Sequence, residues 1–226
     1  VAIREEGITL AVAVEKEELM EYKLTSKTSL FGFPYCVKDI NIDKINATYT
    51  PNRIWYSNTL SSYRGVTNTD QESVSYIMSN VKEFTDSVIP FEYKLKLVSF
   101  WANEYYEKDF QEAHLHGNSD FSFVIFKKIG KANGLLFFSP AYDLVQTSSL
   151  WQDKSIKFKD TVECDAKEGQ IVIFPSILRH MVLPNKEKEV RITYTGNVQI
   201  IYKNKTVNGV EENESGIDLS IMKEEY

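Results

Sequence analysis

Between residues 93 and 202 the chain reads as one short apolar segment after another, separated by turn residues. That succession limits the fold more than any other feature. The predicted strands cover 94–103, 110–116, 121–128, 134–139, 161–164, 170–174, 178–183 and 189–202. Short strands at this spacing build a sandwich or barrel rather than a parallel sheet with crossover helices. An aromatic content of 13%, with 13 Tyr and 13 Phe, favours strands as well. The expected fold is therefore mainly β with some α.

One helix stands out upstream. Asp70 suits an N-cap, and Val74, Ile77, Met78, Val81, Phe84 and Val88 recur at helical spacing before Ile89-Pro90 stops the run. That stripe is core packing against a sheet. Other expectations follow more locally. Residues 8–14 read as a short strand and 15–22 as a charged, helical piece. Residues 30–37 read as an edge strand containing Pro34, and 41–65 as a polar, aromatic loop. Residues 143–160 read as an insertion loop, and Asn208-Gly209 is a hairpin signal before a Glu-rich end. No repeat or low-complexity linker interrupts the chain. The expected organisation is one domain, 1–226: a helix- and loop-rich buttress (1–92), a β core (93–203) and a tail (204–226).

Charge and composition exclude some functions. With 26 basic and 32 acidic residues the net charge is -6, and no Lys/Arg run offers a footprint for a phosphate backbone. The early apolar run, 8–14, is too short and too closely flanked by Glu for a signal or membrane span. Cys36 and Cys164 match no zinc spacing and are expected to be reduced thiols. A cytoplasmic location is expected. So are a small-molecule ligand as partner and, at most, a second copy of the chain, without membrane or evident nucleic-acid binding.

The chain holds three histidines, in two strand-like windows. Side chains two apart on a strand point the same way, so His114 and His116 can face one pocket. Asp120 has the same parity if the strand stays extended, although Gly117-Asn118 invites a turn. The third, His180, follows an apolar strand and the turn begun by Pro175. A lone histidine on a strand is usually solvent-facing. A His-x-His pair with a distant third points instead to a metal site. The predicted ligands are His114, His116 and His180, with Asp120 as the alternative.

A third window carries the anion chemistry. Arg191, Thr193, Thr195 and Asn197 share one strand face, and Ile192, Tyr194 and Val198 alternate with them. An arginine on a half-buried strand needs an anionic partner, and a guanidinium fork suits a small carboxylate. The competing expectations are a solvated face or an internal salt bridge with Glu189.

Taken in order, four motifs resemble the iron(II)- and 2-oxoglutarate-dependent oxygenases. They are Trp101-Ala-Asn103, His114-Leu-His116-Gly-Asn-Ser119-Asp-Phe-Ser122, Phe174-Pro-Ser176 with His180, and Arg191-Ile-Thr193 eleven to thirteen residues after His180. The similarity is closest to a bacterial and phage branch with a prolyl-hydroxylase-like fold. The resemblance implies a double-stranded β-helix (jelly roll) with helices on one sheet, and Fe(II) between the strands. It implies 2-oxoglutarate as cosubstrate, its far carboxylate held by Arg191 and Thr193 with Asn103 as a further contact. The implied reaction is hydroxylation coupled to decarboxylation of 2-oxoglutarate to succinate. Most of these enzymes use His-x-Asp or His-x-Glu with a distal His, whereas His116 stands at the carboxylate position here.

Two other readings share the architecture. His114-x-His116 with Asp120, then Gly169, Pro175, His180 and Asn185, also resembles the two metal motifs of a cupin, an enzyme without 2-oxoglutarate. A non-catalytic jelly-roll binding module is the third.

Overall fold

The computed structural model describes residues 29–53, 59–63, 67–143, 147, 149–152 and 159–202. The expected strand at 8–14, helix at 15–22 and hairpin at Asn208 lie outside them, as do parts of the 41–65 and 143–160 segments.

The chain enters through a ribbon, β1 (Ser29–Leu30) with β2 (Phe33–Pro34). The single edge strand expected over 30–37 is broken here, because Phe31 and Gly32 adopt positive φ and turn the chain. Next come β3 (Cys36–Asp39), a 3-10 turn at Ile42–Lys44, β4 (Ala47–Tyr49), β5 (Asn52–Arg53), β6 (Leu60–Ser61) and β7 (Thr67–Thr69). The expected 41–65 loop thus contains short strands. β4 pairs with β7 and β6 with β8, partners well removed in sequence, which their own composition does not announce.

Helix α1 (Gln71–Val88) begins where expected. The Asp70 carboxylate accepts from the Ser73 backbone N–H at 2.7 Å, and Ile89 closes the helix. Its buried stripe, Ile77, Val81 and Phe84, covers the outer face of the main sheet against Phe121, Phe123, Ile125, Ala102, Tyr194 and Val198.

Eight further strands form the core: β8 (Lys94–Tyr105), β9 (Gln111–His114), β10 (Phe121–Lys128), β11 (Leu135–Phe138), β12 (Thr161–Glu163), β13 (Gln170–Pro175), β14 (His180–Val182) and β15 (Arg191–Ile201). They alternate between two antiparallel sheets, except that the consecutive strands β11 and β12 pair in the same one. The larger runs β3-β13-β10-β15-β8-β6-β5 and the smaller β12-β11-β14-β9. This interleaving is a double-stranded β-helix.

Strand β10 shows why that core reads as continuous apolar sequence. Phe123 and Ile125 pack outward beneath α1, while Val124 and Phe126 pack inward between the sheets with Val172, Phe174, Leu135 and Phe137. Both faces are covered, so polar alternation is lost. Gly196 on β15 makes room for the outer layer. A Cβ there would collide with the Phe123 ring and meet the Ser99 carbonyl at 2.9 Å.

Candidate metal and anion site

The inner faces of β8 and β15 build the floor of a cavity between the sheets. Their register pairs Tyr105 with Arg191, Asn103 with Thr193, Trp101 with Thr195 and Ser99 with Asn197. The four polar residues of β15 that share a face in the sequence are all buried. The opposite wall is the smaller sheet, where His114 of β9 stands directly across from His180 of β14.

All three histidines come together. One ligand atom from each of His114, His116 and His180 lies within 4.8 Å of the others. Ring centroids are 4.3 Å apart for His114 and His180, and 5.1 Å from His116 to each. His116 arrives differently from what strand parity predicts. Strand β9 ends at His114, Asn118 takes a positive φ, and the His116 N–H donates to the Ser176 carbonyl at 3.0 Å. The turn, rather than an extended strand, swings His116 onto Trp101.

Asp120 is placed elsewhere. Its carboxylate accepts from the Ile200 N–H at 2.6 Å, tying the lead-in of β10 to β15. Among the described residues no carboxylate joins the three imidazoles. Asn185, the last residue of the cupin-like pattern, uses its amide to brace the Tyr105 and Glu189 carbonyls.

Two tautomers follow directly from backbone contacts. His114 Nδ1 lies 2.7 Å from the Glu112 carbonyl, and His180 Nδ1 lies 2.8 Å from that of Leu178. A carbonyl only accepts, so Nδ1 carries the proton and Nε2 keeps its lone pair for the cavity. Burial holds all three imidazoles below the ordinary histidine range. His116 is lowered to about 4 by burial and then by His114, and His180 lies well below 6.5, from burial and then both neighbours. Neutral imidazoles are what a cation needs.

The same shifts set a pH response for the metal-free protein. The unfolded chain takes up these protons near pH 6.5, before the native state does. Stability from the neutral histidines is thus complete above about 6.5 and declines as pH falls towards 4. Thermal unfolding of metal-free protein is expected at clearly lower temperature at pH 5 than at pH 7.5. A flat profile over that interval would show that the histidines are not buried neutral.

Arg191 is 2% exposed, and no carboxylate among the described residues makes an ion pair with it; the expected alternative with Glu189 does not form. Its guanidinium donates to the Asn133 carbonyl and, at 3.2 Å, to that of Leu183, with the Tyr105 ring 5.3 Å away. Burial lowers its pKa; Tyr105 and Glu187 act in the opposite direction. Gly134 sits against it at positive φ, so close that a Cβ would collide with Nη1. Sequence reasoning missed Asn133 and Gly134. Nothing local marks them as the seat of an arginine 57 or 58 residues away.

Among the described residues, five buried side-chain atoms have no hydrogen-bond partner: Ser99 Oγ, Trp101 Nε1, Asn103 Oδ1, His116 Nε2 and Arg191 Nε. All belong to residues of the cavity-facing rows or the histidine cluster. Buried polar atoms are ordinarily satisfied, so such a concentration marks a place built for a polar ligand. The set fits a divalent cation beside a small anion: imidazole nitrogens for the cation, an unpaired guanidinium, an indole N–H and buried hydroxyls for the anion.

Residues 99–197 match a family model described as "Putative 2OG-Fe(II) oxygenase". No curated protein matches the chain significantly. Solved structures similar to it include a 2OG-Fe(II) oxygenase-family oxidoreductase from Burkholderia pseudomallei (11% identity, TM-score 0.48, covering 67% of this chain and 73% of that one). A prolyl-4-hydroxylase from Pseudomonas putida aligns at 15% identity and TM-score 0.44, over 66% and 76% of the two chains. A viral collagen prolyl hydroxylase from Paramecium bursaria Chlorella virus-1 aligns at 14% and 0.41, over 71% and 80%.

Proposed function

We propose that this chain, whose residues 99–197 match the 2OG-Fe(II) oxygenase family model, is a hydroxylase of that family and that its iron is held by His114, His116 and His180. The observation that carries the ligand set is the convergence of three buried, neutral imidazoles without a carboxylate. All three, and Arg191, lie inside the matched segment. With iron(II) and 2-oxoglutarate bound, the centre would supply oxidation by dioxygen, one oxygen atom going to a substrate C–H bond and the other to 2-oxoglutarate, which would leave as succinate and CO2.

The protein's own residues do the holding and aiming. His114 and His180 are locked as Nε2 donors by the carbonyls of Glu112 and Leu178. Arg191 supplies the buried positive charge for the far carboxylate of 2-oxoglutarate. The Thr193 hydroxyl stands beside it on the same face and shares that load. Asn103 points an unpartnered Oδ1 inward while its Nδ2 donates to Thr195 at 3.3 Å, which fixes the amide for a cosubstrate contact. Inward-facing Val124, Phe126, Leu135 and Val182 line the same cavity and exclude water from it.

The organisation proposed is a single domain, with α1 covering the outer face of the larger sheet and β3, β5 and β6 extending that sheet. No helix among the described residues is long and apolar enough to cross a membrane. The prime substrate meets the mouth of this cavity.

Anaerobic titration of the iron-loaded protein with 2-oxoglutarate is expected to produce a weak visible charge-transfer band. Admission of air should then yield succinate slowly even without a prime substrate. Absence of both, against a metal-free control, would favour the cupin-type or non-catalytic alternative.

A further inference from the structure

We propose that Asn197, supported by Ser122 and Ser176, is the positioning residue that decides whether His116 can act as a metal ligand. The inference rests on the three-histidine reading and concerns how its third member is switched on.

His116 differs from its two neighbours. Their Nδ1 atoms meet backbone carbonyls, which fix one tautomer. The Nδ1 of His116 instead faces the Asn197 side-chain amide at 3.5 Å, and its Nε2 is buried without a partner. An amide can present either a donor or an acceptor. In the structure Nδ2 faces the ring, while Oδ1 accepts from Ser122 Oγ at 2.9 Å. With Nδ2 donating to Nδ1, neutral His116 carries its proton on Nε2 and has no lone pair to offer the cavity.

A half turn of the amide reverses this. Oδ1 then accepts from Nδ1–H, Nε2 presents a lone pair beside those of His114 and His180, and Nδ2 donates to Ser122. The hydroxyls behind it allow the reversal. Ser122 Oγ lies 2.8 Å from Ser176 Oγ, and Ser176 Oγ lies 3.0 Å from Ser119 Oγ. Each can donate or accept, so the row inverts without losing a bond. Ser122 and Ser176 are fully buried and Asn197 is 6% exposed, which leaves little room for water to substitute. The serines of the His-x-His-x-x-Ser-x-x-Ser motif and of Phe-Pro-Ser thus have a shared role: they hold the amide that sets the third imidazole.

The proposal predicts opposite outcomes for two substitutions. Asn197→Asp can only accept, and so locks the ligating tautomer. Asn197→Ala offers nothing to Nδ1. With Cu(II) as probe, electron paramagnetic resonance counts coordinated nitrogens by their hyperfine splitting. The native protein and Asn197→Asp are expected to show three and to bind Cu(II) with similar affinity. Asn197→Ala is expected to show two and to bind about 10–100-fold more weakly, the usual cost of losing an outer partner. Ser122→Ala, a small change at a buried site, should shift affinity in the same direction and covers the case in which Asn197→Ala does not fold. An unchanged nitrogen count and affinity in Asn197→Ala, or in Ser122→Ala if that is the variant that folds, overturns the inference and leaves the three-histidine centre standing. A native protein that shows only two nitrogens or takes up no Cu(II) overturns that centre too.

Discussion

Substituting His180 by alanine is expected to abolish metal uptake at concentrations where the native protein is saturated. His180 is 3% exposed and faces His114 directly across the smaller sheet, and its Nδ1 is anchored on Leu178. It is the most deeply buried of the three, and among the described residues no further His, Cys, Asp or Glu joins the cluster. The loss should exceed the roughly 10–100-fold that an outer-shell partner costs. His114→Ala should behave similarly, because it is fixed in the same way. His116→Ala should be milder, because the proposal makes ligation by that imidazole conditional on Asn197. The fold should tolerate the change: the ring packs on Phe174 and Phe137, and its removal also relieves a desolvated imidazole. Calorimetric titration with Co(II), alongside thermal unfolding, measures both effects. Undiminished Co(II) binding by a folded His180→Ala protein would remove His180 from the site.

Arg191→Met should be the second most damaging change, with a different signature. Methionine retains apolar bulk but removes the cavity's unpaired charge. Two charge-assisted hydrogen bonds to a carboxylate are worth about 1.5–3 kcal/mol each, so affinity for 2-oxoglutarate is expected to fall by at least ~100-fold. Metal affinity should change little, since Arg191 does not belong to the histidine cluster. Some stability will also be lost, because the Asn133 and Leu183 carbonyls lose their donor, at about 1–3 kcal/mol for a buried group left unsatisfied. Arg191→Lys keeps the charge as a point on a flexible stem and should recover only part of the affinity. If 2-oxoglutarate binds as before and metal affinity falls instead, the role assigned to Arg191 is wrong.

An all-imidazole ligand set changes the electrostatics of the centre. A carboxylate ligand would neutralise one charge of a divalent ion, and three neutral imidazoles neutralise none. The cation then attracts an anionic cosubstrate more strongly, and the buried Arg191 adds to that field. With a divalent cation held by the proposed ligand set, the site would be positive, with no internal counter-ion among the described residues. This accords with a dianionic ligand and gives the Arg191→Met experiment its expected size.

What the sequence determined by itself is what local periodicity encodes. The capped helix with its apolar stripe, the run of short strands and the shared face of Arg191, Thr193, Thr195 and Asn197 all depend on neighbours within a few residues. The structure reproduces them with small shifts of boundary. The rarity of histidine, together with the His-x-His spacing, pointed to a metal site for a similar reason: composition is legible without coordinates. Tertiary structure alone decided the rest, because strand register and turn geometry join distant residues. Parity left Asp120 open as a ligand, but the turn at Gly117-Asn118 and the Ile200 N–H take its carboxylate away. Glu189 was an available partner for Arg191 in sequence, yet β15 carries the arginine inward to the Asn133 and Leu183 carbonyls. Asn197 and His116 are separated by 81 residues and meet only because β10 pairs with β15 while the Ser176 carbonyl holds the turn after β9.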